Sequence, residues 1–331
     1  MDRQRLSRRR FLAFAGAAAV SVVGTSNLSG TRIATTASAS SDAIERRTAV
    51  PGISRAGPTT PGQPLEIVAS IPRVYQGGAV RLDVPHATHG TAQLLGRSYP
   101  LVSTTPEAAG YVGVDVGDPP GLTTISVDVT ASAGNTVRLE RTLEILKTNW
   151  TVAHIWLPQE LDNDDRAAEA SDNGIDGIDE NELLKSAYNG NSYRRWEEPW
   201  IVPIPGVPVS SYFGEQRSYN GGPISGHHTG TDLAAPASTP ILATNHGTVV
   251  LAQQLPIRGK MLVLDHGTGV YSGYAHLSEY EAVPGEVVER GQVIGRVGNT
   301  GLSTGPHLHW ELTTSGIRVD GLRWLDGTQG F

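Results

Sequence analysis

The run Gly305-Pro306-His307-Leu308-His309-Trp310-Glu311-Leu312-Thr313 decides how the C-terminal part of the chain is read. Residues 307–313 have the character of a strand. In a strand, residues i and i+2 face the same side, so His307 and His309 project together toward one groove. Further strand-like stretches lie upstream at 240–253, 261–266, 269–276 and 292–297, with Gly and Pro in every gap and no long amphipathic helix among them. Residues 199–331 are therefore expected to form an antiparallel β-sheet domain with a groove.

Seven of the ten histidines follow residue 226, and the chemically suggestive ones fall in three settings. Besides the H-x-H pair there is His227-His228-Thr229-Gly230-Thr231-Asp232, and there is Tyr274-Ala275-His276-Leu277 on an adjacent strand. A catalytic zinc site takes three protein ligands and leaves one position open for water. His228 and Asp232, four apart across a glycine, can converge from a loop leading into a strand. His228, Asp232, His307 and His309 cannot all be ligands if that position stays open, so one histidine is left to handle protons in a hydrolysis. Spacing alone does not say which. His227 lacks the four-residue spacing to Asp232, His246 lies in a Gly turn, and His266 ends a strand; these three read as structural.

These motifs, with Gly-Thr-Asp-Leu-Ala-Ala-Pro at 230–236 and Gly-Asn-Thr-Gly-Leu-Ser-Thr-Gly-Pro leading into His307, resemble the lysostaphin-type peptidoglycan metalloendopeptidases. The resemblance covers roughly residues 203–325. It implies one zinc ion per chain held by His228, Asp232 and His309, with His307 as general base. His276 would orient water or stabilise the oxyanion. The implied substrate is a peptide of the bacterial cell wall, either a cross-link or a stem peptide. The implied reaction has the metal activating water and polarising the peptide carbonyl, while a protonated histidine assists departure of the amine. The chain departs from the commonest pattern where His227 sits beside the ligand and where Ala237-Ser238 replaces Gly-Thr; neither removes a required group. Tyr219-Asn220-Gly221-Gly222-Pro223 and a preceding β-domain resemble the longer, two-domain members of the family.

That preceding domain is expected at 63–147 as an immunoglobulin-like β-sandwich. Val80, Leu82 and Val84 alternate with Arg81 and Asp83. Ile125, Val127 and Val129 repeat the scheme, as do Val137 with Leu139 and Leu143 with Ile145. Gly77-Gly78 and Gly134-Asn135 supply turns, and His86 and His89 are placed in a loop. Residues 148–198 read as an acidic connector with one short helix near 182–188; ten carboxylates face a single Arg between Glu160 and Glu182. Asp172-Asn173-Gly174-Ile175-Asp176-Gly177 has the opening of a calcium loop, but its twelfth position is Leu183, where a bidentate Glu is required.

Composition bounds the rest. With 38% hydrophobic and 18% charged residues, 39 Gly and 21 Pro, the chain suits a globular, turn-rich β class. Cysteine is absent, which excludes disulfides, thiolate zinc sites and Cys nucleophiles. The net charge of −7 without a basic stripe argues against nucleic-acid partners. Residues 1–39 hold six Arg and one Asp, and Arg8-Arg9-Arg10-Phe11-Leu12 opens an Ala-rich apolar run too short for a span. This segment resembles a twin-arginine export signal, with Ala37-Ser38-Ala39 as a cleavage site and 40–62 as linker. The protein is thus expected outside the cytoplasm, in the periplasm, cell envelope or medium, with no stable membrane span once the signal is removed. A lipoyl-type carrier, suggested by Gly285-Glu286-Val287-Val288, needs a Lys at a hairpin tip; the only Lys after residue 200 is Lys260, outside that hairpin. A non-catalytic relative that activates other wall hydrolases would have lost metal ligands, and all three are present here.

Overall fold

Val80, Leu82 and Val84 are fully buried while Arg81 and Asp83 between them are only half-buried, so the alternation in sequence is the alternation of a one-sided strand. The computed structural model describes residues 65–104, 107–156, 180–188, 190, 196 and 198–326. The export-like segment, the linker at 40–62 and the calcium-like stretch at 172–177 lie outside the described residues.

Eight strands between Val68 and Leu146 form the first sheet system. Val68–Ala69 and Arg73–Tyr75, neighbours in sequence, stand at opposite ends of its strand order, so the sheet folds back around one core. Ile125, Val127, Val129, Leu143 and Ile145 fill that core from the long hairpin Gly121–Ala131/Thr136–Leu146. Each such side chain contributes roughly 1.5–3 kcal/mol of burial. Gly77 and Gly134 adopt φ of 79° and 89°, the left-handed region their turns require. His89 is not in a loop: it lies in the strand Ala87–Leu94, against Thr130, and His86 at φ 65° is the single residue between two strands. The reading as loop failed because Thr and Gly around His89 give no apolar alternation.

The second sheet has ten strands, all paired antiparallel. Its centre is Thr231–Ala234, His307–Thr314, Val270–Tyr280, Gly259–Gly267 and Gly247–Leu255, in that spatial order. Residues 240–253 are two strands, Pro240–Leu242 and Gly247–Leu255, separated where Asn245 and His246 turn the chain. Leu308 and Trp310 point down into a core with Leu233, Tyr274 and Leu277.

Two pieces of the acidic stretch are ordered parts of this architecture. Val152–Ile155 pairs in parallel with Gln216–Tyr219, which pairs with Ile224–His227, and this small sheet walls the groove. The helix runs Glu180–Ala187, and its first residue, Glu180, is buried rather than solvated. Tyr111 of the first sheet packs on Trp196 and Trp324, with ring centroids 5.6 and 5.2 Å away, and Trp200 joins the cluster. No helix among the described residues is long and apolar enough to cross a membrane.

Candidate metal and catalytic site

Strand register assembles the site. Asp232 is the direct cross-strand partner of His309, and Ala275, beside His276, is the partner of His309 on its other flank. The two-residue period of His307–Thr314 then sets His307, His309 and Glu311 on one face while Leu308 and Trp310 anchor the other. His228 arrives from the turn before Thr231, and Gly230 makes its approach feasible. A Cβ there would stand 2.5 Å from the Trp310 carbonyl and 2.9 Å from the His309 ring. His276 reaches the same groove through a backbone at φ 61°, a left-handed conformation costing about 1–3 kcal/mol for a non-glycine residue.

His228 Nε2, His309 Nδ1 and Asp232 Oδ1 converge. The two histidine nitrogens are 3.0 Å apart, and the carboxylate oxygen is 3.0 Å from His228 and 2.8 Å from His309. Partners on the far side of each ring fix which nitrogen faces inward. His228 Nδ1 lies 2.9 Å from the Tyr212 carbonyl, which can only accept, so that nitrogen carries the proton and Nε2 presents a lone pair. His309 Nε2 donates to Glu311 Oε1 at 3.1 Å, so Nδ1 is the nitrogen that can give its lone pair to a metal. Three acceptors therefore crowd together on the groove floor, an arrangement that needs a cation or a shared proton. Burial works to raise the Asp232 carboxyl, but its close contacts with the His228 and His309 rings, the latter carrying the shared proton, outweigh it and hold the group far below the usual carboxylate range. Burial also works to lower His309, yet Asp232 and Glu311 beside it raise it above an ordinary histidine. In His228 burial prevails and lowers it. This donor set, with no sulfur and two oriented imidazoles beside one carboxylate, fits zinc.

The other two predicted residues stand beside the cluster. His307 Nδ1 donates to the Gly305 carbonyl at 2.8 Å, leaving Nε2 to the groove, 3.7 Å from Asp232 Oδ1. His276 Nδ1 donates to the Thr300 carbonyl at 2.8 Å, and its ring centroid is 4.8 Å from that of His307. Burial, then the neighbouring His309 and His307, push His276 down to about 3, so it is neutral across the physiological range. All five residues line one groove of about 560 Å³. His246 meets Glu198 and His266 is buried against Trp196 and Trp200, both away from the groove.

Sequence reasoning left Glu311 and Arg258 without a role. Glu311 is two residues after His309 and hence on the same face, a signal that was present in the period. Its carboxylate is fully buried and is held well below its ordinary range: burial opposes ionisation, but Arg258, Arg318 and His309 overcome it. Arg258, in the turn before Gly259–Gly267, carries no such signal.

Three inward-facing ligand atoms, flanked by two histidines with free ring nitrogens, form a cluster that could hold a metal ion. Residues 226–321 match the model of peptidase family M23. It is 39% identical over 135 residues to the peptidoglycan DD-endopeptidase ShyA of Vibrio cholerae, covering 41% of this chain and 31% of that protein. To the DD-carboxypeptidase/endopeptidase Mpg of Neisseria meningitidis it is 40% identical over 123 residues, 36% of this chain and 27% of that one. The chain thus spans about a third of the length of these curated relatives. A crystal structure described as a peptidase M23 of Pseudomonas aeruginosa superposes with a TM-score of 0.55 at 27% identity, over 76% of this chain and 94% of that one. That overlap is broader than the peptidase domain and takes in the all-β architecture expected from the sequence.

Proposed function

We propose that this protein is an exported zinc metalloendopeptidase that hydrolyses peptide bonds of peptidoglycan. The observation that carries the reading is the convergence of His228, Asp232 and His309, with donor atoms all within 4.8 Å, in the groove that also holds His276 and His307. The names of the two relatives support the substrate class. We assign the metal to those three residues, catalysis to His307 and His276, and the division into sandwich, connector and catalytic segments to 63–147, 148–198 and 199–331. The arginine pair at Arg8-Arg9 supports delivery to the cell envelope or beyond.

Bound zinc would supply Lewis acidity toward the scissile carbonyl and toward water. The chain's own groups do the rest. His307 Nε2, free on the groove side, accepts a proton from the attacking water and returns it to the departing amine nitrogen as the C–N bond breaks. Neutral His276 accepts a hydrogen bond from that water through its Nε2 and so aims it. Glu311 and Tyr212 hold the two ligand rings in the productive tautomer. Digestion of purified peptidoglycan followed by mass analysis of the soluble muropeptides tests the proposal. New peptide termini are expected, and intact cross-links and stems after incubation with zinc-loaded protein would refute it.

A further inference from the structure

The support of the metal site reaches into the stretch read as an acidic connector. Glu180, the first residue of the helix Glu180–Ala187, is 2% exposed. Its Oε1 accepts from the backbone N–H of Ile257 at 2.5 Å and of Arg258 at 3.3 Å, and its Oε2 meets Arg258 Nη1 at 3.0 Å. The same guanidinium grips Glu311 Oε1 through Nε at 3.0 Å and Nη2 at 2.9 Å. Glu311 in turn accepts from His309. Arg258 touches the other half of the site as well, since its carbonyl accepts from the His276 backbone N–H at 2.8 Å. A second branch runs alongside: Asn181 Oδ1 accepts from Arg318 Nη2 at 3.3 Å, and Arg318 Nε stands 3.6 Å from Glu311 Oε2.

Counted as charges, two arginines face two glutamates in this cluster, of which Arg318 alone is half-buried. Without the Glu180 charge, Arg258 keeps a single carboxylate partner, Glu311, which it must share with Arg318 and His309. One uncompensated positive charge then sits a single residue removed from a cation ligand, where charges interact strongly. It opposes a bound cation and draws Glu311 toward the arginines and off the His309 N–H.

We propose that Glu180 is a positioning residue for His309, acting through Arg258 and Glu311, with Asn181 assisting through Arg318; the inference rests on His309 being a zinc ligand. Outer partners of ligating histidines change metal affinity by about 10- to 100-fold when mutated. Glu180 lies one link further out, so about tenfold is expected. A helix anchor with no part in the site would lower the melting temperature of the metal-free protein and leave zinc affinity alone.

The experiment is zinc titration of the full-length protein against a chromophoric chelator, with zinc itself as the probe and no substrate present. Glu180→Gln keeps the shape and an acceptor oxygen but removes the charge, and its zinc Kd should rise about tenfold. Glu180→Asp, which restores the charge, should recover part of that loss. Glu182→Gln, at an exposed pair with Lys185, should match the unmodified protein. A folded Glu180→Gln with unchanged zinc Kd overturns the inference. If Glu180→Gln does not fold, Asn181→Ala takes its place, expected to bind zinc measurably more weakly; unchanged affinity again overturns the inference. His309→Ala keeping the original zinc affinity would instead sink the ligand assignment, and this inference with it.

Discussion

Removing each histidine of the H-x-H pair in turn separates binding from chemistry. In His307→Ala the three converging donors are untouched: of the three, Asp232 is the one near His307, at 3.7 Å, and the other nitrogen of His307 is tied to Gly305. The variant should therefore hold close to one zinc per chain while hydrolysis falls by roughly 10²–10⁴, the usual worth of a general base and about 2.7–5.4 kcal/mol of barrier. His309→Ala deletes a donor at the centre of the cluster, 3.0 Å from His228 and 2.8 Å from Asp232, and leaves Glu311 without its imidazole donor. Two donors remain, so metal and activity should go together. His276→Ala should follow His307→Ala, and Asp232→Ala should follow His309→Ala. The assay is zinc content by elemental analysis beside the rate of muropeptide release, all variants at one pH. Loss of zinc from His307→Ala with retention in His309→Ala would refute the division of roles.

Gly230→Ala should lower zinc occupancy and stability together, by about 1–3 kcal/mol as for an overpacked core, because its Cβ meets the Trp310 carbonyl and the His309 ring; calorimetric unfolding and metal analysis check it. In the metal-free protein Asp232 and Glu311 hold a proton on His309 above the ordinary histidine range, so zinc must displace it. Zinc affinity should fall as the pH drops through and below that range, and titrations in buffers of different ionisation enthalpy should show proton release on binding. Tyr111→Ala should cost about 3–5 kcal/mol by opening a cavity between Trp196 and Trp324, read as a lower denaturant midpoint.

Much of the site was legible because its logic is local. The period of two carries His307 and His309 to one face, and four residues across a glycine bring His228 to Asp232. Glu311 obeys the same period and was legible in principle. Other parts depend on long-range pairing that leaves no local trace. Val152–Ile155 becomes a strand by parallel pairing with Gln216–Tyr219, some sixty residues away. His276 turns into the groove through a left-handed backbone that nothing in Tyr274-Ala275-His276-Leu277 announces. Glu180 stood among ten carboxylates, and its partners at Ile257 and Arg258, far along the chain, make its burial tolerable. Hydrophobic alternation reports which face of a strand is buried, but it does not report which strand lies next to it.

In the proposed function a single zinc ion at His228, Asp232 and His309 carries hydrolysis of peptidoglycan peptides. Its most direct test is to strip the protein of metal, return zinc in steps, and measure bound zinc and rate of muropeptide release on the same samples. The rate should rise in proportion to bound zinc, start from essentially nothing, and level off at one ion per chain. Full activity in protein verified to be metal-free, or one bound zinc with no hydrolysis at all, would contradict that function.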